Sequence, residues 1–257
     1  MGYLGDYHTH TIYSHGRGTV EENVKQAIKM GLKEIAITDH GFRHMMYNVA
    51  RSQFLPLMDD VKEAREKYPE ITIYLGLETN LVSRKGTVDL VDSDMPLLDI
   101  IVCGYHKFVR SDSLVDYWKM FMPNMIASIT KAPDIRLKNR NTDAYIRAIE
   151  RYDIDIISHM NNVFPSHSVE VARACKAYGT YVELNGKGNY ITDDEIETMI
   201  EDGVDFICNS DAHSAKRVGE ISKPLEIVER LHIPAERIAN LDKLPRFRSR
   251  IKKGLYD

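Results

Sequence analysis

Cysteine is scarce in this chain, tryptophan occurs once, and net charge is close to balanced. Cys103, Cys175 and Cys208 are the three cysteines of a 257-residue sequence, and they stand far apart. That excludes a disulfide framework and gives thiolate metal ligands no close pair to build on. All three lie in or near apolar runs and are expected as buried free thiols in a reducing compartment. The formal net charge is -4, from 34 basic and 38 acidic residues, which speaks against a long non-specific grip on nucleic acid. No apolar stretch approaches the roughly 20 residues of a membrane span. No repeat, low-complexity tract or Pro/Gly-rich linker divides the chain. The sequence enters a predicted strand almost at once, so no leader is expected and a cytoplasmic, soluble protein is the default.

What is present is alternation. Short β-branched runs occur at Tyr3–Tyr7, Glu34–Thr38, Thr72–Leu77, Asp99–Cys103, Asp153–Ser158, Thr180–Leu184 and Asp205–Asn209. Amphipathic segments separate most of them, a pattern that implies parallel βα units. Two helix starts are legible. Thr19 with Glu22 forms a capping-box pattern, closed by Gly31, and Thr192 with Glu195 repeats it, closed by Gly203.

Six of the seven runs end in residues that bind metals. These are His8, His10 and His15, then His40, Glu78, His106 and His159, and finally Asp211 and His213. His8 and His10, two apart on a strand, leave by the same face. Imidazole with carboxylate suits zinc, manganese or iron. Nine such residues exceed the needs of one tetrahedral ion, so a cluster of ions is expected, and such clusters commonly serve hydrolysis of phosphate esters or related bonds. Ligands converging from many strand ends favour a closed barrel with its site at the C-terminal mouth. An open doubly wound sheet would gather its site at one switch point.

The motif series resembles the PHP (polymerase and histidinol phosphatase) family. The matching stretches are His8–His15, Thr38–His40, Gly76–Glu78, Gly104–His106, Ile157–His159 and Asn209–His213. The resemblance implies a distorted seven-stranded (β/α)7 TIM-like barrel, one PHP-type domain over residues 1–257, with three divalent transition-metal ions and phosphoesterase activity. It further implies that His8, His10, Glu78 and Asp211 hold one ion. Glu78 would bridge to a second held with His106 and His159, and His15, His40 and His213 would hold the third. Glu78, Asp211 and His213 are the catalytic candidates. A hydroxide held between two ions would be the nucleophile, since metals lower the pKa of bound water.

Substrate contacts are read separately. Arg17, beside His15, could hold a phosphate or be a solvated loop arginine; Gly16-Arg17-Gly18 lacks the P-loop pattern. Asn185 and Lys187 follow the one strand without a ligand and open onto the same mouth. With Lys107, Arg43 and Lys216-Arg217 they would make that mouth basic. Asp39 and Asp6 flank ligands and either orient an imidazole or form turns. His44 is a possible rim residue; His167 and His232 are read as structural or exposed. The segment Lys107–Arg140, which contains Trp118, Met120, Phe121, Met122 and Met125 and then Lys131, Arg136, Lys138 and Arg140, is a lid, a binding loop or an interface. The other reading is a helix packed on the barrel with a solvated basic end.

The expected activity is hydrolysis of a small phosphomonoester on a phosphorylated metabolite, with histidinol phosphate one candidate. However, the ISHMNN and VELNGKGN stretches look closer to the family's general phosphatases. The alternative is a nuclease or nucleotide phosphatase acting on nucleic-acid ends, supported mainly by the basic 131–140 segment. A third reading, a non-catalytic regulatory domain, conflicts with the presence of all nine ligand positions.

Overall fold

The computed structural model describes residues 2–256. Seven parallel strands form one sheet in sequence order: β1 (Gly5–Asp6), β2 (Glu34–Ile37), β3 (Thr72–Asn80), β4 (Ile100–Gly104), β5 (Ile156–Ile157), β6 (Tyr181–Asn185) and β7 (Phe206–Asn209). A parallel bridge between Thr9 and Ala212 joins the two edges just beyond β1 and β7. There His10 N donates to Ala212 O at 2.8 Å and Ala212 N to His8 O at 3.2 Å. The barrel is distorted because β1 and β5 contribute only two residues each.

Period-two alternation explains each strand's composition. Ile73, Leu75 and Leu77 of β3 face the helices and belong to the large apolar cluster between sheet and helix layer. Tyr74 faces the barrel interior with Tyr7, Ala36, Ile100, Val102, Ile156, Ile207 and, from the C-terminal tail, Phe247. Phe247 meets Tyr7 edge-on at 5.0 Å and plugs the N-terminal end of the barrel. The Glu34 carboxylate lies between the hydroxyls of Tyr7 (2.7 Å) and Tyr74 (2.8 Å). The three cysteines are free and buried.

The outer layer is α1 (Val20–Lys29), α2 (Arg51–Lys67), α3 (Leu114–Asp116), α4 (Met122–Thr130), α5 (Ile135–Arg151), α6 (Ser168–Tyr178), α7 (Asp193–Glu201), α8 (Ser222–Arg230) and α9 (Arg248–Lys252). Both expected capping boxes form, at Thr19–Glu22 and Thr192–Glu195. Gly31 and Gly203 take φ of +78° and +70°, the left-handed conformation that ends a helix.

The connection after β4 is more helical than its composition suggests. Between α3 and α4, Tyr117–Phe121 is π-helical, and α5 begins at Ile135 rather than near Asn141. The Asp134 side chain caps α5 by accepting from Arg136 N at 2.9 Å. Polar residues dominate the first turns because only Leu137, Asn141 and Thr142 turn inward there. Met120 and Phe121 are buried, whereas Leu114 (80%), Trp118 (65%) and Ile129 (75%) are largely exposed. Among the described residues no helix is long and apolar enough to cross a membrane.

Candidate metal centre

The alternation that sends Tyr74 into the barrel floor sends Gly76 and then Glu78 up its axis. Glu78 is fully buried and five imidazoles surround its carboxylate. Oε1 lies 2.7 Å from His159 Nε2, 3.3 Å from His8 Nε2 and 3.4 Å from His106 Nε2. Oε2 lies 2.9 Å from His40 Nδ1 and 3.6 Å from His10 Nε2. Asp211 is the second carboxylate, its Oδ1 3.4 Å from His10 Nε2 and 3.3 Å from His213 Nδ1. His15 completes the set, with Nδ1 3.2 Å from His40 Nε2. The structure thus brings all nine sequence-selected residues to one place at the C-terminal mouth.

Local backbone serves this convergence. His159 and Asp211 adopt φ of +27° and +50°, unusual for residues with a Cβ; such strain concentrates at functional sites. Gly104 leaves room: a Cβ there would stand 2.5 Å from Ser158 Oγ and 2.9 Å from His159 Cε1.

The donor set fits metal ions. His8 Nε2, both nitrogens of His10, His40 Nδ1, Glu78 Oε2 and His213 Nε2 are buried without a hydrogen-bond partner. Leaving a buried polar atom unsatisfied costs about 1–3 kcal/mol, so several pointing at one another require an occupant. Four overlapping groups have ligand spacing: His8–His10–Glu78, His8–His159–Asp211, His40–Glu78–His106 and His10–His40–His213.

The remaining ring nitrogens are held from behind. His8 Nδ1 lies 2.7 Å from Glu183 Oε1 and His106 Nδ1 2.7 Å from Asn80 Oδ1. His213 Nδ1 lies 2.9 Å from the Asp211 carbonyl. Each bond places the proton on Nδ1 and turns the Nε2 lone pair to the centre. Partial desolvation, reinforced by neighbouring imidazoles, lowers His15 although the residue is exposed. Burial also lowers His213, to about 4, and takes His10 and His106 well below the ordinary range. At His8 and His159 burial is outweighed by the facing carboxylates, which raise both rings; neutral imidazole is the form that binds metal, so an ion there would displace those protons. Burial alone would raise Glu78 and Asp211, but the facing imidazoles outweigh it and hold both carboxyls well below their usual range.

A cavity of about 390 Å³ opens over the centre. Asn185 and Lys187 line it. The Asn185 amide donates to Glu183 Oε2 (2.8 Å) and Asp211 Oδ2 (3.1 Å), and Lys187 Nζ lies 3.6 Å from Asp211 Oδ2. Arg17 is exposed and absent from the lining; its backbone N–H donates to His213 O. His44 and Lys107 line the cavity, whereas Lys131, Arg136, Lys138 and Arg140 do not. Asp39 and Asp6 act in turns. Asp39 accepts from Thr11 N, Thr11 Oγ1 and Ser14 Oγ, and Asp6 from Ser210 N, Ser210 Oγ and Gly219 N. His167 lies at the start of α6, bonded to Asn139, and His232 is exposed.

Sequence reasoning missed Glu183, Asn80, Tyr47 and Phe108. Glu183 carried a usable signal: a lone carboxylate inside the apolar run Val182–Leu184, which must find a partner once buried. Tyr47 and Phe108 sit in loops with no periodicity to mark them.

Comparison with known proteins agrees with this architecture. The family model described as PHP domain matches residues 6–210, and the chain belongs to that family. A Caldanaerobacter subterraneus protein described as a probable phosphatase is 29% identical, the match covering 97% of this chain and 92% of that one. The histidinol phosphate phosphatase of Lactococcus lactis, solved with zinc, L-histidinol and phosphate, superposes with a TM-score of 0.56 at 15% identity, covering 89% of this chain and 94% of that one. A structure from work on metal-dependent tyrosine phosphatases of Bacillus subtilis and Streptococcus pneumoniae gives 0.51 at 14% identity, covering 95% and 96%. At these identities the solved structures speak for a shared barrel.

Proposed function

We propose that the chain is a metal-dependent phosphatase that hydrolyses a small phosphomonoester at a three-ion centre. The observation that carries this reading is the buried, partnerless set of imidazole and carboxylate atoms gathered around Glu78. The phosphatase descriptions of the relatives supply the reaction class. His8, His10, Glu78 and Asp211 would hold one ion, Glu78, His106 and His159 a second, and His15, His40 and His213 a third. Zinc, manganese and iron all suit these donors. Bound there, the ions would supply Lewis acidity for the phosphoryl group and activate water near neutral pH.

The chain's own residues have defined tasks. Glu78, at the barrel axis, presents one oxygen to His8, His106 and His159 and the other to His10 and His40, so it suits a bridging role. Glu183 and Asn80 fix the His8 and His106 rings. Asn185 fixes Asp211, leaving Lys187 to meet an anionic substrate at the mouth. The whole chain is read as one barrel domain, the helical 107–140 connection being its insertion.

A phosphoester panel tests the proposal, run with zinc, manganese and iron. It should contain mononucleotides, sugar phosphates, histidinol phosphate, aryl phosphates and short oligonucleotides. Monoester hydrolysis that requires metal is expected. Processive cleavage of oligonucleotides with monoesters untouched would replace this reading by a nuclease.

A further inference from the structure

The cavity wall beyond the nine ligand candidates has a chemistry of its own. Tyr47, Phe108, Val163 and Tyr190 give it apolar and aromatic surface, and Lys107 and Lys187 give it charge. Tyr47 stacks on His15 at 4.3 Å, so the aromatic wall begins at the centre's edge. Phe108 holds a φ of +63°, an uncommon backbone for a bulky residue, at the mouth, where 39% of it stays exposed. Among the described residues Asp211 is the only carboxylate in the lining. Its oxygens already face His10, His213, Asn185 and Lys187. A positively charged substrate group would find no free counter-charge there and would meet two ammonium groups.

We propose, resting on the phosphatase reading above, that the preferred substrate carries its phosphate on a flat or apolar group without positive charge. Aryl phosphates and other uncharged or anionic phosphomonoesters fit the wall; aminoalkyl phosphates, histidinol phosphate among them, do not. Apolar area covered by the ring favours the first class, and like-charge juxtaposition disfavours the second.

Calorimetry on the metal-loaded full chain tests this with two ligands that cannot be hydrolysed, phenylphosphonate and 2-aminoethylphosphonate. Phenylphosphonate should bind at least about tenfold more tightly, and Lys107→Glu should narrow the gap. Equal binding, or tighter binding of the amine, together with turnover on the phosphoester panel would overturn the inference and leave the phosphatase reading standing. If neither phosphonate binds and no phosphoester is cleaved, the phosphatase reading fails and this inference falls with it.

A separate observation concerns His44, which belongs to none of the ligand groups. Its Nδ1 accepts from Met46 N at 3.2 Å and Tyr47 N at 3.0 Å. A ring nitrogen that accepts twice carries no proton, so the neutral ring holds its proton on Nε2. His44 is 5% exposed and lines the cavity. We infer that His44 is a catalytic residue, presenting Nε2–H to an oxygen of the bound phosphoester as a fixed hydrogen-bond donor.

Long-range proton–nitrogen NMR, assigned with a His44 variant, reads the tautomer directly. An Nδ1–H tautomer would overturn the inference whatever the activity. His44→Asn can still accept from the loop amides but its own N–H stops short of Nε2's place, whereas His44→Gln can reach it. Asn should lower kcat by about 10- to 100-fold at unchanged metal content, with Gln retaining more. Unchanged kcat in His44→Asn also refutes the role.

Discussion

His8 Nδ1 and Glu183 Oε1 stand 2.7 Å apart, with both side chains shut off from solvent. Glu183 does more than hold this ring. Its other oxygen accepts from His159 N at 2.8 Å, and Asn209 Nδ2 donates to Oε1 at 3.0 Å. One carboxylate from β6 therefore fixes ligand candidates that follow β1 and β5. Glu183→Gln should weaken metal binding by about 10- to 100-fold while the fold persists. Competition with a chelator measures it; wild-type affinity in the variant would reduce Glu183 to packing.

Glu78→Gln should remove metal and activity together. The amide lacks the charge and the second strong donor oxygen that five surrounding imidazoles face. Elemental analysis beside turnover decides, and a fully loaded, active variant would end the bridging assignment.

Stoichiometry is a third expectation. Eight residues in four overlapping groups, with His15 beside His40, should take up more than one transition-metal equivalent per chain on reconstitution with zinc, manganese or iron. Loading should also raise Tm, because ions bind the folded centre and satisfy its buried atoms. Occupancy that saturates at one equivalent would reject the cluster.

Trp118→Lys should leave metal content intact and kcat/KM within about twofold, since surface changes away from a site are usually small. Trp118 is exposed and outside the cavity lining. A large loss of kcat/KM would show that the segment closes over the centre during turnover. Light scattering on the same variant reports whether this face joins two copies.

Asp155 gives a pH test away from the metals. Burial raises its carboxyl to about 7, although Ile101 N, Ser249 N and Ser249 Oγ donate to it. The folded state then binds the proton more tightly than the unfolded chain, so this contribution is full below the usual carboxylate range and is lost as pH rises toward about 7. Asp155→Asn should therefore gain stability relative to wild type as pH rises through that interval. Parallel Tm curves for the two proteins would contradict it.

Much of this was legible in the sequence because strands announce themselves by period and ligands by repetition. Each of the seven apolar runs became a strand, and the nine selected residues share one centre, eight of them in groups with ligand spacing and His15 against His40. What lay hidden depends on contacts distant in the chain. The pairing of Glu183 with His8 joins β6 to β1, and no local pattern encodes a partner that remote. Asp39 and Asp6 looked as suited to imidazoles as to turns, and only tertiary geometry decides between them. In 107–140 the polar face of α5 obscured the helix, because little of its first half is buried.

The bridge between Thr9 and Ala212 sits between His8 and His10 on one side and Asp211 and His213 on the other. Closing the barrel and completing the centre are thus a single event. On the ribosome His8 and His10 are made long before Asp211 and His213 and must wait, unpaired, for them. Full metal capture therefore waits for the arrival of β7, and an ion held at that seam would act as a clasp joining β1 to β7.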